Sequence, residues 1–158
     1  MVELELTKAL RVFLKKVVCN FRLQTKAGDE LKPPQIVNGF LPPKGTSEKD
    51  DFPFVIVRPV SGSADRDLEQ IKISILIGGY SEEYDEDGHS VNGFEYCLNV
   101  ISRIKQEIFK LPDLTLAGKY QVNFPFSWSL DEEQPWPYWF AEVETNWTFR
   151  SPENEDQF

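Results

Sequence analysis

Gln70-Ile71-Lys72-Ile73-Ser74-Ile75-Leu76-Ile77 sets an isoleucine at every odd position. Successive strand side chains point to opposite faces, so the four isoleucines share one face. Their β-branched side chains suit a pleated surface. Gly78-Gly79 follows, and its backbone freedom predicts a turn there. Beyond a polar loop at 81–90, residues 91–111 change period. Phe94, Cys97, Leu98, Ile101, Ile104, Ile108 and Leu111 recur at threes and fours, which predicts a helix that Pro112 stops. A helix of about 19 residues spans roughly 28 Å, long enough to seal the isoleucine face.

Working outward, residues 3–19 predict an amphipathic helix with Leu6, Ala9, Leu10, Phe13 and Val17 on its apolar stripe. Acidic residues come first and Lys15 and Lys16 last, in keeping with the helix dipole. Its basic face could touch a membrane or an acidic partner, and reads first as an ordinary solvated surface. Residues 20–32 read as loop with a short extended piece at Phe21 and Leu23. Gln35-Ile36-Val37-Asn38-Gly39-Phe40-Leu41 lies between Pro33-Pro34 and Pro42-Pro43, which predicts an edge strand or arm. Phe52-Pro53-Phe54-Val55-Ile56-Val57-Arg58-Pro59-Val60 is apolar on both faces and predicts a well-covered strand. Ser61-Gly62-Ser63-Ala64-Asp65 reads as a turn.

In the last third, Tyr120, Val122, Phe124, Phe126, Trp128 and Leu130 alternate with polar residues. After a polar break at 131–135, Trp139, Ala141, Val143, Thr145, Trp147 and Phe149 share a second apolar face. The two runs predict a long aromatic-rich antiparallel hairpin. The expected class is α+β: a mainly antiparallel sheet of four or five strands, with two helices on one face. Residues 1–150 read as one domain and 151–158 as a disordered acidic tail.

The chain has 158 residues, enough to bury a core without staples, and a net charge of −9. That charge argues against non-specific binding to the outside of nucleic acid, which needs Lys and Arg on phosphates. Cys19 and Cys97 fall in helical patterns and read as free buried thiols of a reducing cytoplasm. Glu3, Glu5, Lys8 and Arg11 interrupt any secretory core at the N-terminus.

Candidate chemistry is sparse. Glu82-Glu83-Tyr84-Asp85-Glu86-Asp87-Gly88-His89 imitates the opening of a calcium loop, making Glu83, Asp85 and Asp87 weak cation candidates. The twelfth position is Phe94 rather than Glu, and Glu95 comes one place late. His89 is the only histidine and has no nucleophile motif such as GxSxG beside it. Glu142 and Glu144 share a strand face and could in principle serve acid–base chemistry, though a solvated strand explains them equally. Trp136, Tyr138, Trp139 and Phe140 are split between core and interface anchors. Trp136, Tyr138, Trp139, Asp85 and Asp87 are therefore the interface candidates, with no catalytic residue and no cofactor expected.

Ile71-Lys72-Ile73-Ser74-Ile75-Leu76-Ile77-Gly78-Gly79-Tyr80, leading through Asp85-Glu86-Asp87-Gly88-His89 into the helix, resembles small tail proteins of tailed bacteriophages. So does the strand Phe54-Val55-Ile56-Val57-Arg58-Pro59 before it. The resemblance is to the tail terminator or tail completion (head–tail joining) group. It covers the helix–strands–helix–strands order across most of the chain. The arm at 33–43 and the long hairpin depart from the shortest version of the pattern. The resemblance implies a homo-oligomeric ring, typically a hexamer, that caps the tail tube and meets the head connector. DNA would pass through the bore without being specifically bound. Such a subunit is made in the host bacterial cytoplasm, from phage or prophage, and ends in the virion. The alternative is a small cytoplasmic protein-binding adaptor, cation-responsive through residues 82–89.

Overall fold

A computed structural model describes residues 2–25, 31–41, 52–83 and 92–150. Helix α1 (Val2–Val18) is followed by β1 (Leu23–Gln24), β2 (Leu31–Lys32), β3 (Gln35–Asn38), β4 (Phe54–Ala64) and β5 (Leu68–Tyr80). Helix α2 (Asn92–Phe109), a 3₁₀ turn (Pro112–Leu114), β6 (Thr115–Leu116), β7 (Tyr120–Leu130) and β8 (Tyr138–Arg150) complete the chain. The fold is α+β. The sheet is wider than expected, with six strands in the order β3-β4-β5-β8-β7-β6, and β1 and β2 form a separate ribbon. It is antiparallel except for β3, which runs parallel to β4. The expected tail at 151–158 lies outside the described residues.

The isoleucine run builds the centre. β5 and β8 pair from Leu68↔Arg150 to Tyr80↔Tyr138 with no shift of register. Ile71, Ile73, Ile75 and Ile77 are buried beside Trp139, Ala141, Val143, Trp147 and Phe149. Both helices cover this face: Leu6, Leu10 and Leu14 of α1 and Cys97, Val100, Ile101, Ile104 and Ile108 of α2 join the same core. Thr145 is the polar member of the apolar row, and its hydroxyl is fully used. It donates to the Ile73 carbonyl at 3.0 Å and accepts from the Trp147 indole N–H at 2.8 Å. A fully buried indole N–H thus has its acceptor.

The other face carries a smaller aromatic cluster. Phe54 and Ile56 are buried there, which accounts for the two-sided apolar character of β4. Phe52 lies 4.9 Å from both Phe54 and Tyr138, and Tyr80 5.5 Å from Tyr138. This cluster explains why the strand does not end at Gly78-Gly79. Gly78 pairs with Phe54, and the Phe54 ring occupies the space a Gly78 side chain would fill. The glycine makes room within the strand instead of turning it.

Ser61-Gly62-Ser63-Ala64 is likewise strand rather than turn. A bulge lies between Pro59 and Ser61, after which pairing continues to Ala64↔Glu69. The turn falls at Asp65, whose carboxylate accepts the backbone N–H groups of Asp67 and Leu68. Those two bonds hold the Asp65 carboxyl below its ordinary value of 3.8. A lowered folded-state pKa stabilises at pH above the unfolded value and fades on acidification through the folded one. In an NMR titration, the Leu68 and Asp67 amide shifts should therefore move only below that ordinary carboxyl range. Gly78→Ala should cost about 1–3 kcal/mol in urea unfolding, because the Phe54 ring must move. Thr145→Val should cost about 1–3 kcal/mol, since it strands the Trp147 N–H. An unchanged midpoint for either variant would refute its packing account.

Candidate functional site

Glu82 and Glu83 are the described members of the acidic turn, and both are exposed. Glu82 accepts the Tyr80 hydroxyl at 2.8 Å. The Glu83 backbone N–H donates to the Ser81 hydroxyl, and its carboxylate accepts the Tyr96 hydroxyl. Burial, followed by the Glu83 charge, pushes the Tyr96 phenol up. Glu83 thus ties the end of β5 to the first turns of α2. Asp85, Asp87 and His89 lie outside the described residues. Among the described residues, no group of three or more His, Cys, Asp or Glu is placed to hold a metal ion. No described helix is long and apolar enough to cross a membrane.

Glu142 and Glu144 stand on the polar face of the sheet, away from the helices. Glu142 accepts the Ser74 hydroxyl at 2.7 Å, and Glu144 pairs with Lys72 at 3.3 Å. Beside them the Asn123 amide donates to Thr148. These are cross-strand partners that fasten β5 to β8 and β8 to β7. Two open hollows flank the β4–β5 arm near Ser61, Gly62 and Gln70. Their charged linings are Glu3 and Glu69 in one and Lys72 in the other, too few for convergent acid–base work. Cys97 is buried, whereas Cys19 is exposed, contrary to the expectation that both thiols are covered. Cys19 follows the last residue of α1, on its solvent side.

The hairpin tip is closed by side-chain hydrogen bonds. Gln134 clamps it: its amide N–H groups donate to the Asp131 and Phe140 carbonyls, and its side-chain oxygen accepts the Phe140 N–H. The tip also separates the three aromatic candidates. Trp139 belongs to the core. Its indole fills the space a Gly93 side chain would need, and its N–H donates to the Ser81 carbonyl. Tyr138 joins the aromatic cluster on the opposite face. Trp136 is 48% exposed and flanked by the exposed acids Asp131, Glu132 and Glu133.

A further surface escaped the sequence reading. β7 does not keep one register on β8: pairing slips between Asn123 and Ser127. Pro125 sits in the slip, where it has no N–H to give the ladder. Beyond it, Trp128 pairs with Val143 and Leu130 with Ala141, so these side chains still face the helix side. Yet Val143 is fully buried and Trp128 is 48% exposed. The helix layer therefore covers β6 and the start of β7, where Leu116, Tyr120 and Val122 are buried, and leaves Trp128 on the later half of β7 open. Phe124 (59% exposed) packs on Phe109 at 5.4 Å, and Phe126 lies 5.8 Å from Phe109. The outer edge of β7 is paired only where β6 meets Tyr120 and Gln121. An open edge beside exposed aromatic side chains is suited to binding protein. The signal was the proline inside an otherwise regular aromatic alternation.

Burial, with a smaller part from the Asp131 charge, pushes the Cys97 thiol up to about 12. A maleimide at mildly alkaline pH should label Cys19 alone in the folded chain, and Cys97 only on unfolding. Mass spectrometry showing early Cys97 labelling would mean that the α2–β8 packing opens. No family model matches this chain, and no curated protein sequence matches it significantly.

Proposed function

We propose that this chain is a structural subunit of a bacteriophage tail, of the terminator or completion kind. Copies close into a ring that caps the tail tube and faces the head connector, and DNA passes through the bore. The observation that carries this reading is the later half of β7: beyond Val122 the helices cover it only in part, leaving an open edge with Phe124 and Trp128 exposed beside it. A monomer with that feature has a surface to cover, and contact between unlike surfaces closes into a ring when its rotation divides a circle. The order of helices and strands fits the resemblance. Glu142 and Glu144 serve a hydrogen bond and an ion pair between strands, in keeping with a structural role. A net charge of −9 keeps a conduit from gripping phosphates.

Purified chain, alone and mixed with tail-tube protein, should give one closed-ring species by native mass spectrometry and electron microscopy. It should not retain double-stranded DNA at low salt. A chain that stays monomeric in both conditions, or that shifts DNA, would end the proposal.

A further inference from the structure

We infer that the exposed later half of β7, from Phe124 to Trp128 on the helix side, receives helix α1 of a second copy. This deepens the ring reading and rests on it. The exposed side of α1 holds Leu4 (50% exposed) and Val12 (58%) among Lys8, Arg11, Lys15 and Lys16. At 100° per residue these six positions fall on one face. Among the described residues, Lys8, Lys15 and Lys16 enter none of the ion pairs. The receiving surface has the complementary make-up. Its aromatic end is Phe124 and Trp128, and its far end is the acidic tip Glu132 and Glu133.

The lengths agree. From Phe124 to the tip, β7 runs roughly 23 Å at the strand rise. Helix α1, with 17 residues, runs roughly 25 Å at the helical rise. The order of chemistry along each sets the direction. Leu4 and Val12 meet the aromatic end, where lysines can also lie over ring faces. Lys15 and Lys16 meet Glu132 and Glu133. The incoming helix therefore runs parallel to β7 and becomes a third helix on the sheet, beside α2. Because α1 and β7 are different surfaces, the contact is head-to-tail and repeats from copy to copy.

A mixing experiment tests this. Val12→Glu breaks the donor surface and Trp128→Glu the receiving one. Both residues are about half exposed, so thermal melts should match the wild type. Each variant alone should be monomeric by mass photometry, its dissociation constant raised roughly 30-fold, the scale of an interfacial anchor. Mixed, they should form a 1:1 pair and nothing larger, because one intact contact remains. In a second arm, Lys15→Glu with Lys16→Glu should weaken assembly, and adding Glu132→Lys with Glu133→Lys should restore it. If wild type assembles but the mixture stays monomeric, the α1–β7 contact is wrong and the ring reading stands. If the mixture pairs while wild type grows open filaments, the contact stands and the closed ring falls. A wild-type chain that stays monomeric at its highest soluble concentration, both alone and with tail-tube protein, overturns both.

Discussion

The unbroken ladder between β5 and β8 is the constraint on which the rest depends. It holds thirteen-residue strands in one register over their whole length. A slip of one residue would turn every isoleucine of β5 outward. Register is fixed from both sides of the sheet. On the helix side, the Trp147 N–H, the Thr145 hydroxyl and the Ile73 carbonyl form a hydrogen-bonded chain with no solvent to replace it. On the polar side, Lys72 with Glu144 and Ser74 with Glu142 repeat the same alignment. The exposed ion pair adds little energy by itself. Its placement agrees with the buried bonds, and that agreement specifies a single sheet.

What the sequence made legible was whatever is written as a period. The isoleucine face, the Trp139-to-Phe149 face and both helices follow from spacings of two and of three to four. What was not legible depends on partners distant in sequence. Gly78-Gly79 looks like a terminator until Phe54, two dozen residues earlier, is seen to need the gap at Gly78. Ser61-Gly62-Ser63-Ala64 looks like a turn until β5 extends back to Leu68 and supplies a ladder. The parallel pairing of β3 carries no local mark at all. The same limit holds for the candidate site. Trp136, Tyr138 and Trp139 are neighbours in sequence, yet they go to solvent edge, polar-face cluster and core. Strand alternation separates the last two, and Gly93 decides which one is covered by α2.

The exposed half of β7 follows from the path of the helices. Helix α1 sits over the β3–β4 side, where Arg11 donates to the Ile36 carbonyl of β3. Helix α2 starts with Gly93 against Trp139 of β8 and ends with Phe109 against Phe124 and Phe126 of β7. The start of β7 is therefore covered, with Tyr120 and Val122 buried, while Trp128 is left exposed. The bulge at Phe124–Phe126 and the proline within it are devices that protect an edge from indiscriminate strand addition. What stays available is a shaped aromatic surface, which favours a partner of matching relief over any passing strand.

In the proposed contact, charge then decides which partner of matching relief is admitted. A chain of net charge −9 repels its own copies in most orientations. Four of its 17 Lys and Arg residues lie between positions 8 and 16, on the outer side of α1. The hairpin tip concentrates the opposite sign at Asp131, Glu132 and Glu133. Approach of tip to tip brings acid against acid and is penalised. Approach of tip to α1 is the orientation in which the long-range field attracts while exposed aromatic and aliphatic groups are brought together. Repulsion in the other arrangements contributes as much to specificity as attraction in this one. In the proposed contact, an acidic subunit thus has one direction in which to add the next copy.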